Sequence, residues 1–159
     1  LFTCDRGVAN ELVRHRIASF AQESTRYCNY SKEKFEGSIT VVEPFYIDKE
    51  QNRLFYRKWV ESCEFAEKTY FLMLMNGYRP EQARCVLPLC LKTEIVVTAN
   101  YREWRNIFKL RTPVAAHPQM RELMCPLLKE LQSKIPVVFD DIYTYWPKDE
   151  QTGKESVEE

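Results

Sequence analysis

The sequence predicts an α+β domain that is rich in helix and carries a small sheet. Apolar residues recur at helical spacing along several long segments, whereas the short segments Ser38–Val42 and Leu89–Thr98 are rich in β-branched residues. With 159 residues, of which 45% are hydrophobic and 29% charged, the chain has the composition of one globular domain. We expect this domain to span residues 1–146, with a mobile acidic tail at residues 147–159, where no apolar period continues.

Five helices are predicted from apolar spacing and from the residues at their ends. Thr3 or Asp5 can cap the first helix, and Asn100 stands where a cap of the fourth belongs. The second and longest helix contains neither glycine nor proline and meets Gly77 at its C-terminal end. Pro126 predicts a kink or a break in the fifth helix. The predicted helices cover residues 4–16, 48–76, 80–87, 100–111 and 118–134.

The segments between these helices supply the sheet and the loops. Residues 18–36 are polar and predict a long loop. Ser38–Val42 predicts a strand that Pro44 stops. Leu89–Thr98 predicts a second strand, although a buried helical segment would show the same apolar run. After the last helix, residues 136–146 form a short aromatic segment.

Rare residues exclude several kinds of site. The four glycines lie far apart, which excludes a Walker loop and a GxGxxG dinucleotide-binding turn. The two histidines, His15 and His117, exclude a zinc site with three histidine ligands, and we expect no bound metal. The six cysteines form no CxxC pair, and we interpret them as reduced thiols of a cytoplasmic protein.

Charge and hydropathy also limit the partners. No run of 18 apolar residues is present, so no transmembrane helix is predicted. Leu1–Arg6 lacks a basic region followed by an apolar core, so we expect no signal peptide, although the leading Leu also fits a partial chain. The 23 Lys and Arg residues balance 23 Asp and Glu residues, which argues against general nucleic-acid binding. We therefore expect neither a membrane nor a nucleic acid as partner.

The triplet Arg14-His15-Arg16 is the strongest candidate for chemistry, and Ser24 follows it. Guanidinium groups offer a planar fork of donors that suits phosphate and imide edges, although a bare triplet of this kind also fits a solvated charged turn. If one helix ran from Arg14 to Ser24, the two would lie ~15 Å apart along its axis. Either the helix breaks after Arg16 and the chain folds back, or the segment contacts a long ligand at several points.

An ordered set of motifs resembles the flavin-dependent thymidylate synthases. Arg14–Ser24 has the pattern RHR-x7-S, and Arg84–Pro88 resembles the R-x-V-L-P element of that family. Asn100–Arg111 resembles its N-x-R-x-x-x-N-F-x-x-L-R helix, and His117–Gln119 falls at its H-x-Q step. The triplet alone is weak evidence for the resemblance. The ordered set of motifs is strong evidence, and it covers most of residues 4–139.

The resemblance implies a fold, an activity and an assembly. It implies a homotetramer with FAD at the subunit interfaces and with active sites shared between subunits. The implied reaction is the reductive methylation of dUMP to dTMP, with 5,10-methylenetetrahydrofolate as carbon donor and NADPH as reductant. No enzyme cysteine attacks the uracil in this family, which agrees with cysteines that lie in no catalytic motif.

The resemblance also implies the site residues. It assigns the FAD site to Arg14, His15, Arg16, Gln22, Asn100, Arg102 and Asn106. It assigns the dUMP site to Glu11, Arg14, Gln22, Glu23, Ser24, Arg26, Arg84 and Arg111, with Arg84 contributed by a neighbouring subunit.

Arg111 is the predicted catalytic residue. Carbon 5 of uracil is a poor nucleophile until negative charge builds on the ring, and a guanidinium at the ring stabilises that charge. Each of these residues also has a structural interpretation. Arg111 can serve as the cation at a helix C-terminus, Asn100 as a helix cap, and Arg84 as a surface charge. His117 has no spaced partner and is left out of catalysis.

Two departures from the family pattern keep other functions open. The family has a further N-terminal segment with some flavin contacts, whereas this chain starts only 13 residues before Arg14. Glu11, Val13, Ala21 and Gln22 differ from the residues that many relatives carry. A flavin- or nucleotide-binding remnant that acts only in assembly therefore remains an alternative, as does a helical interaction protein.

Overall fold

The computed structural model describes residues 1–28, 30 and 37–143, and it confirms the α+β class. Within these residues the chain forms a three-stranded sheet and six α-helices. The strands are β1 (Phe2–Asp5), β2 (Ala18–Gln22) and β3 (Lys92–Ala99). The helices are α1 (Arg6–Leu12), α2 (Arg53–Met75), α3 (Pro80–Ala83), α4 (Tyr101–Arg111), α5 (Pro118–Lys134) and α6 (Pro136–Phe139), and a 3-10 turn spans Arg84–Val86.

The sheet is antiparallel, with β3 at its centre. In its register Cys4 of β1 lies opposite Thr93, and Phe20 of β2 lies opposite Val97. The β-branched run of residues 95–98 is typical of such a central strand, which packs on both neighbours. The predicted strand is thus confirmed, and its interpretation as a buried helix is wrong.

Two predictions for the N-terminal segment are wrong. The predicted helix over residues 4–16 is shorter, because residues 2–5 pair with β3 and α1 ends at Leu12. Of the two candidate caps, Asp5 accepts a hydrogen bond from the Val8 amide at 2.7 Å. The predicted loop over residues 18–36 begins instead with β2, whose residues 18, 20 and 22 are half-buried while 19 and 21 are exposed.

The predicted strand Ser38–Val42 is also corrected. Only one bridge forms, between Val41 and Leu91. Flanking backbone hydrogen bonds join Val42 to Cys90 and Lys92 to Thr40, each at 2.8 Å. Pro44 follows at once and has no amide hydrogen to continue a ladder, so the pairing stays short.

The predicted later helices are present in the structure, except that the helix predicted over residues 80–87 is an α-helix only at Pro80–Ala83. The 3-10 turn follows it, and Leu87 is extended, as the residue before a proline prefers, so the helix does not reach residue 87. The longest begins at Arg53 rather than at residue 48, and Gly77 beyond its end has the positive φ of +84° that a C-terminal cap requires. Asn100 caps α4 by accepting from the Glu103 amide at 2.9 Å. Helix α5 runs through Pro126 without ending there, so the predicted break is absent.

The main core lies where α1, β3, α4, α5 and α6 meet. Phe108 of α4 is fully buried, and its ring centroid lies 5.7 Å from those of Trp104 and Phe139. This packing anchors the middle of α4 and fixes the position of its last residue, Arg111. The buried core residues include Val8, Leu12, Ile95, Ile107, Phe108, Met120, Met124, Leu128 and Phe139. A smaller core joins Tyr30, Tyr70, Ala83 and Leu91.

Helix α2 is mostly exposed. Only Cys63 and Tyr70 are buried among its residues. Leu54, Phe65, Leu72 and Met75 are between 58% and 84% exposed. Their spacing places them on one side of the helix, and we call them the α2 stripe.

The described residues also bear on the cysteines, on helix length and on clusters of metal-ligating side chains. All six cysteines lie among the described residues, and no disulfide bond joins any two of them. Within the described residues, no helix is long and apolar enough to cross a membrane, and no three His, Cys, Asp or Glu side chains come together as metal ligands would. The predicted acidic tail at 147–159, and the end of the domain predicted at 146, lie outside the described residues.

Candidate functional site

The Arg14-His15-Arg16 triplet forms the turn between α1 and β2. The helix ends at Leu12, and the His15 amide bonds the Leu12 carbonyl at 3.1 Å to close the turn. Arg14 and Arg16 are exposed, whereas His15 is only 5% exposed. The predicted break therefore occurs, but it comes before the triplet, and the chain continues as a strand.

The buried imidazole of His15 links the triplet to α4. Its Nδ1 lies 3.4 Å from the Glu103 carboxylate, and its Nε2 accepts a hydrogen bond from Arg111 Nε at 3.1 Å. Glu103 is 6% exposed and also accepts from Asn106 Nδ2 at 3.2 Å. Glu103 thus contacts two predicted flavin ligands, and one of these, His15, contacts the predicted catalytic arginine.

Glu11 holds the other side of Arg111. Its Oε2 accepts from Arg111 Nη1 at 2.6 Å, and its backbone carbonyl accepts from Nη2 at 3.0 Å. A guanidinium that donates from all three of its nitrogens has little freedom to rotate. We call Glu11, His15, Glu103, Asn106 and Arg111 the Arg111 cluster.

Electrostatics in the Arg111 cluster keep His15 neutral. Burial and the neighbouring Arg111 cation lower the pKa of His15 from its ordinary value, and Glu103 opposes this only in part. A neutral imidazole can accept on one nitrogen and donate on the other, which is what Arg111 and Glu103 require of it.

This lowered pKa predicts a pH dependence of stability. The unfolded chain binds a proton on His15 near the ordinary pKa of about 6.5, before the folded chain does. The contribution of His15 is therefore complete above that pH and is lost as the pH falls below it, by at most about 1.4 kcal/mol per pH unit. Urea unfolding at pH 7.5 and 5.5 should show a smaller fall in stability for His15→Gln than for the natural chain.

The exposed His117 provides the matched control for this prediction. It caps the start of α5 without a side-chain hydrogen bond, and its ring lies edge-on to Tyr46. His117→Gln should retain the pH slope of the natural chain. An unchanged slope in His15→Gln would show that His15 does not carry the effect.

A second group of predicted ligands lies where β2 ends. Arg84, at the start of the 3-10 turn, donates to the Thr25 hydroxyl at 3.4 Å, and Gln22 Nε2 donates to the Thr93 hydroxyl at 3.4 Å. The Ser24 hydroxyl accepts from the Arg26 amide at 3.3 Å. Glu23 is half-buried, and its carboxylate lies 3.9 Å from Lys92 Nζ. We call Gln22, Glu23, Ser24, Thr25 and Arg84 the Arg84 cluster.

The two clusters lie at opposite ends of β2. Ala18, near the Arg111 cluster, pairs with Ala99 just before α4, whereas Gln22 pairs with Ile95. At about 3.3 Å per residue, β2 alone separates its ends by ~13 Å. One phosphate cannot contact both clusters of a single chain.

Three exposed arginines are neighbours in the chain of two members of the Arg111 cluster. Arg14 and Arg16 flank His15 in the chain, and Arg102 flanks Glu103; all three are exposed. The described part of the chain provides none of these three cations with an ion-pair partner. Arg26 differs, because it is paired with Glu81 at 3.9 Å.

Comparison with known proteins identifies the family. The model of the thymidylate synthase complementing protein family matches residues 1–137. The chain belongs to this family. It is 35% identical to a flavin-dependent thymidylate synthase of Pyrococcus abyssi over 131 residues, or 82% of this chain and 52% of the relative. A protein of the same name from Geobacter sulfurreducens is 33% identical over 140 residues, or 86% of this chain and 56% of the relative. The chain therefore spans about half the length of these curated relatives.

Sequence reasoning missed one central residue of this family member. Glu103 stands in the first turn of α4, where an acidic residue normally serves the helix dipole in solvent. Its burial depends on His15 and Asn106, which no local pattern reveals. One feature of the sequence could have pointed to Glu103. It lies three residues from Asn100 and three from Asn106, a spacing that makes the three residues neighbours along α4.

Proposed function

We propose that this chain is a subunit of a flavin-dependent thymidylate synthase, which converts dUMP to dTMP. The carbon comes from 5,10-methylenetetrahydrofolate, and the reducing equivalents come from NADPH through FAD. The observation that carries the proposal is the fixed guanidinium of Arg111, which three hydrogen bonds to His15 and Glu11 hold in one orientation. The names of the relatives and the family membership support the same activity.

The exposed donors around the Arg111 cluster fit a flavin dinucleotide. FAD carries a pyrophosphate, and the guanidinium groups of Arg14, Arg16 and Arg102 suit that charge. Asn106 is exposed on the next turn of α4 and can offer an amide to the same ligand. Asn100 uses its side-chain oxygen to cap α4, and Gln22 lies at the far end of β2. When bound, the flavin supplies hydride and can carry the methylene group.

Arg111 acts on the uracil in this proposal. Three of its five N–H groups are used by His15 and Glu11, which leaves one on Nη1 and one on Nη2 for a ligand. A pair of donors at the imide edge stabilises the negative charge that develops there as carbon 5 becomes nucleophilic. Because the donors are held before the substrate arrives, little reorganisation is needed during the reaction.

The Arg84 cluster is the proposed site for the nucleotide phosphate. Arg84 supplies a cation, while the Ser24 and Thr25 hydroxyls supply further donors. Glu23 is half-buried beside them and can accept from the ribose hydroxyl. Arg26, 54% exposed at its side chain, can exchange Glu81 for the phosphate.

We further propose a homotetramer whose active sites combine the two clusters from different subunits. Because the ~13 Å length of β2 keeps one phosphate from contacting both clusters within one chain, a second copy offers a way to bring Arg111 to a nucleotide whose phosphate is held by Arg84. The α2 stripe is an exposed apolar surface that a second copy can cover. Cysteines that form no disulfide bond with one another are consistent with the cytoplasmic location that we also propose.

The proposal is tested by turnover with single omissions. The chain, supplied with FAD, dUMP, methylenetetrahydrofolate and NADPH, should form dTMP, and omission of any one component should abolish this. Binding of FAD and dUMP without any dTMP would contradict the enzyme and support the binding remnant instead. Failure to bind either ligand would favour a helical interaction protein.

A further inference from the structure

Glu103 is a buried carboxylate at a position that the Asn100–Arg111 motif leaves unspecified. Glu103 is only 6% exposed. One of its oxygens, Oε1, contacts both His15 Nδ1 at 3.4 Å and Asn106 Nδ2 at 3.2 Å. Burial of an ionised carboxylate is unfavourable unless hydrogen bonds compensate it. Because this carboxylate is buried and contacts two specific side chains, we looked for a role for it beyond stabilising α4.

Both neighbours of His15 demand the same tautomer. Arg111 Nε can only donate, so His15 Nε2 must carry a lone pair. The ring proton then sits on Nδ1, which faces Oε1 of Glu103, an acceptor. Within this geometry one arrangement satisfies all three side chains: Arg111 donates to His15, and His15 donates to Glu103.

We propose that Glu103 is a positioning residue that fixes the tautomer and orientation of His15, and through His15 the orientation of the Arg111 guanidinium. The importance of this positioning for catalysis rests on the proposed function, in which Arg111 faces uracil. The positioning itself is independent of the proposed function, because it concerns only contacts within the chain. Glu11 holds the two terminal nitrogens of Arg111, so His15 is the partner that holds Nε and thereby the plane of the guanidinium.

The first experiment measures the ring nitrogens of His15 by ¹⁵N NMR in the full chain at about pH 8.5. Because His15 and His117 are the two histidines, His117→Gln assigns the signals directly. In the natural chain we expect a protonated Nδ1 and a bare Nε2. Arg111→Met removes the donor at Nε2, so in that variant the tautomer depends on Glu103. The Nδ1–H form should persist in Arg111→Met; two averaged signals there would overturn the proposal.

A pair of Glu103 variants separates positioning from a general structural role. Glu103→Gln retains an oxygen that can accept from both His15 and Asn106, whereas Glu103→Leu has a similar size and no acceptor. The readout is the hydrogen-exchange rate of Arg111 Nε–H, a signal that Arg111→Met identifies. We expect exchange within about 3-fold of the natural rate in the Gln variant and at least about 10-fold faster exchange in the Leu variant.

The outcomes of this pair decide the proposal without any turnover assay. Equal exchange rates in the Leu variant and the natural chain would overturn it, since Arg111 would then be held without Glu103. If Glu103→Leu does not fold, the tautomer of His15 in Arg111→Met still decides. Because neither measurement needs flavin or dUMP, absence of dTMP formation would contradict the proposed function and leave this inference standing on its own result.

Discussion

Replacement of Arg111 by Ala should reduce the rate of dTMP formation about 100- to 1000-fold, the usual effect of removing one preorganised donor to a developing negative charge. Flavin binding should remain mostly intact, because the exposed arginines of the triplet and of α4 are unchanged. The rate of dTMP formation and the absorbance of bound flavin measure the two effects separately. Turnover at near full rate would show that Arg111 is not catalytic.

Lys109→Ala is the matched control for this prediction. Lys109 lies in the same last turn of α4 and is also basic, but it is exposed and does not belong to the Arg111 cluster. It should retain the natural rate. Thermal unfolding of both variants is needed, because Arg111→Ala leaves Glu11 and the buried His15 without their donor.

Charges introduced into the α2 stripe should dissociate the proposed tetramer and abolish turnover. With chains of 19.0 kDa, a tetramer has a mass of about 76 kDa in light scattering. The double substitution Phe65→Glu with Leu72→Glu would bury two carboxylates in an apolar interface, at several kcal/mol each. We expect a smaller species that folds but forms no dTMP, since each active site would lack one of its two clusters.

Val137→Glu controls for the effect of added charge on an exposed apolar residue. Val137 is 93% exposed on α6, away from the α2 stripe. This variant should remain a tetramer of full activity. A double variant of the stripe that stays tetrameric would contradict the interface, and a stable monomer with full activity would contradict shared sites.

The elements that the sequence predicted well have local signals at both ends. Helix α4 starts after the cap at Asn100 and ends at Arg111, and α2 ends just before Gly77. The wrong predictions concern short strands. Residues 2–5 and 18–22 become strands because β3 offers a partner on each side, and a stretch of four or five residues carries too little alternation to reveal this.

The sequence motifs named candidate site residues one by one, but they did not predict how these residues are arranged in space. The motifs pointed to Arg14–Arg16, to Arg84 and to Arg111, yet they did not show that β2 separates these residues into two clusters. Arg111 and His15 meet although they lie 96 positions apart in the chain. The burial of Glu103 follows from the same long-range contact, so no local pattern could have assigned its role.

The central claim is that this chain holds a flavin beside dUMP, and a visible absorption spectrum tests it most directly. The chain, purified or reconstituted with FAD, should show the bands of oxidised flavin. NADPH should bleach these bands, and dUMP should change the rate of bleaching. A colourless chain that cannot be reconstituted with FAD, or a flavin spectrum to which dUMP and NADPH make no difference, would contradict the account.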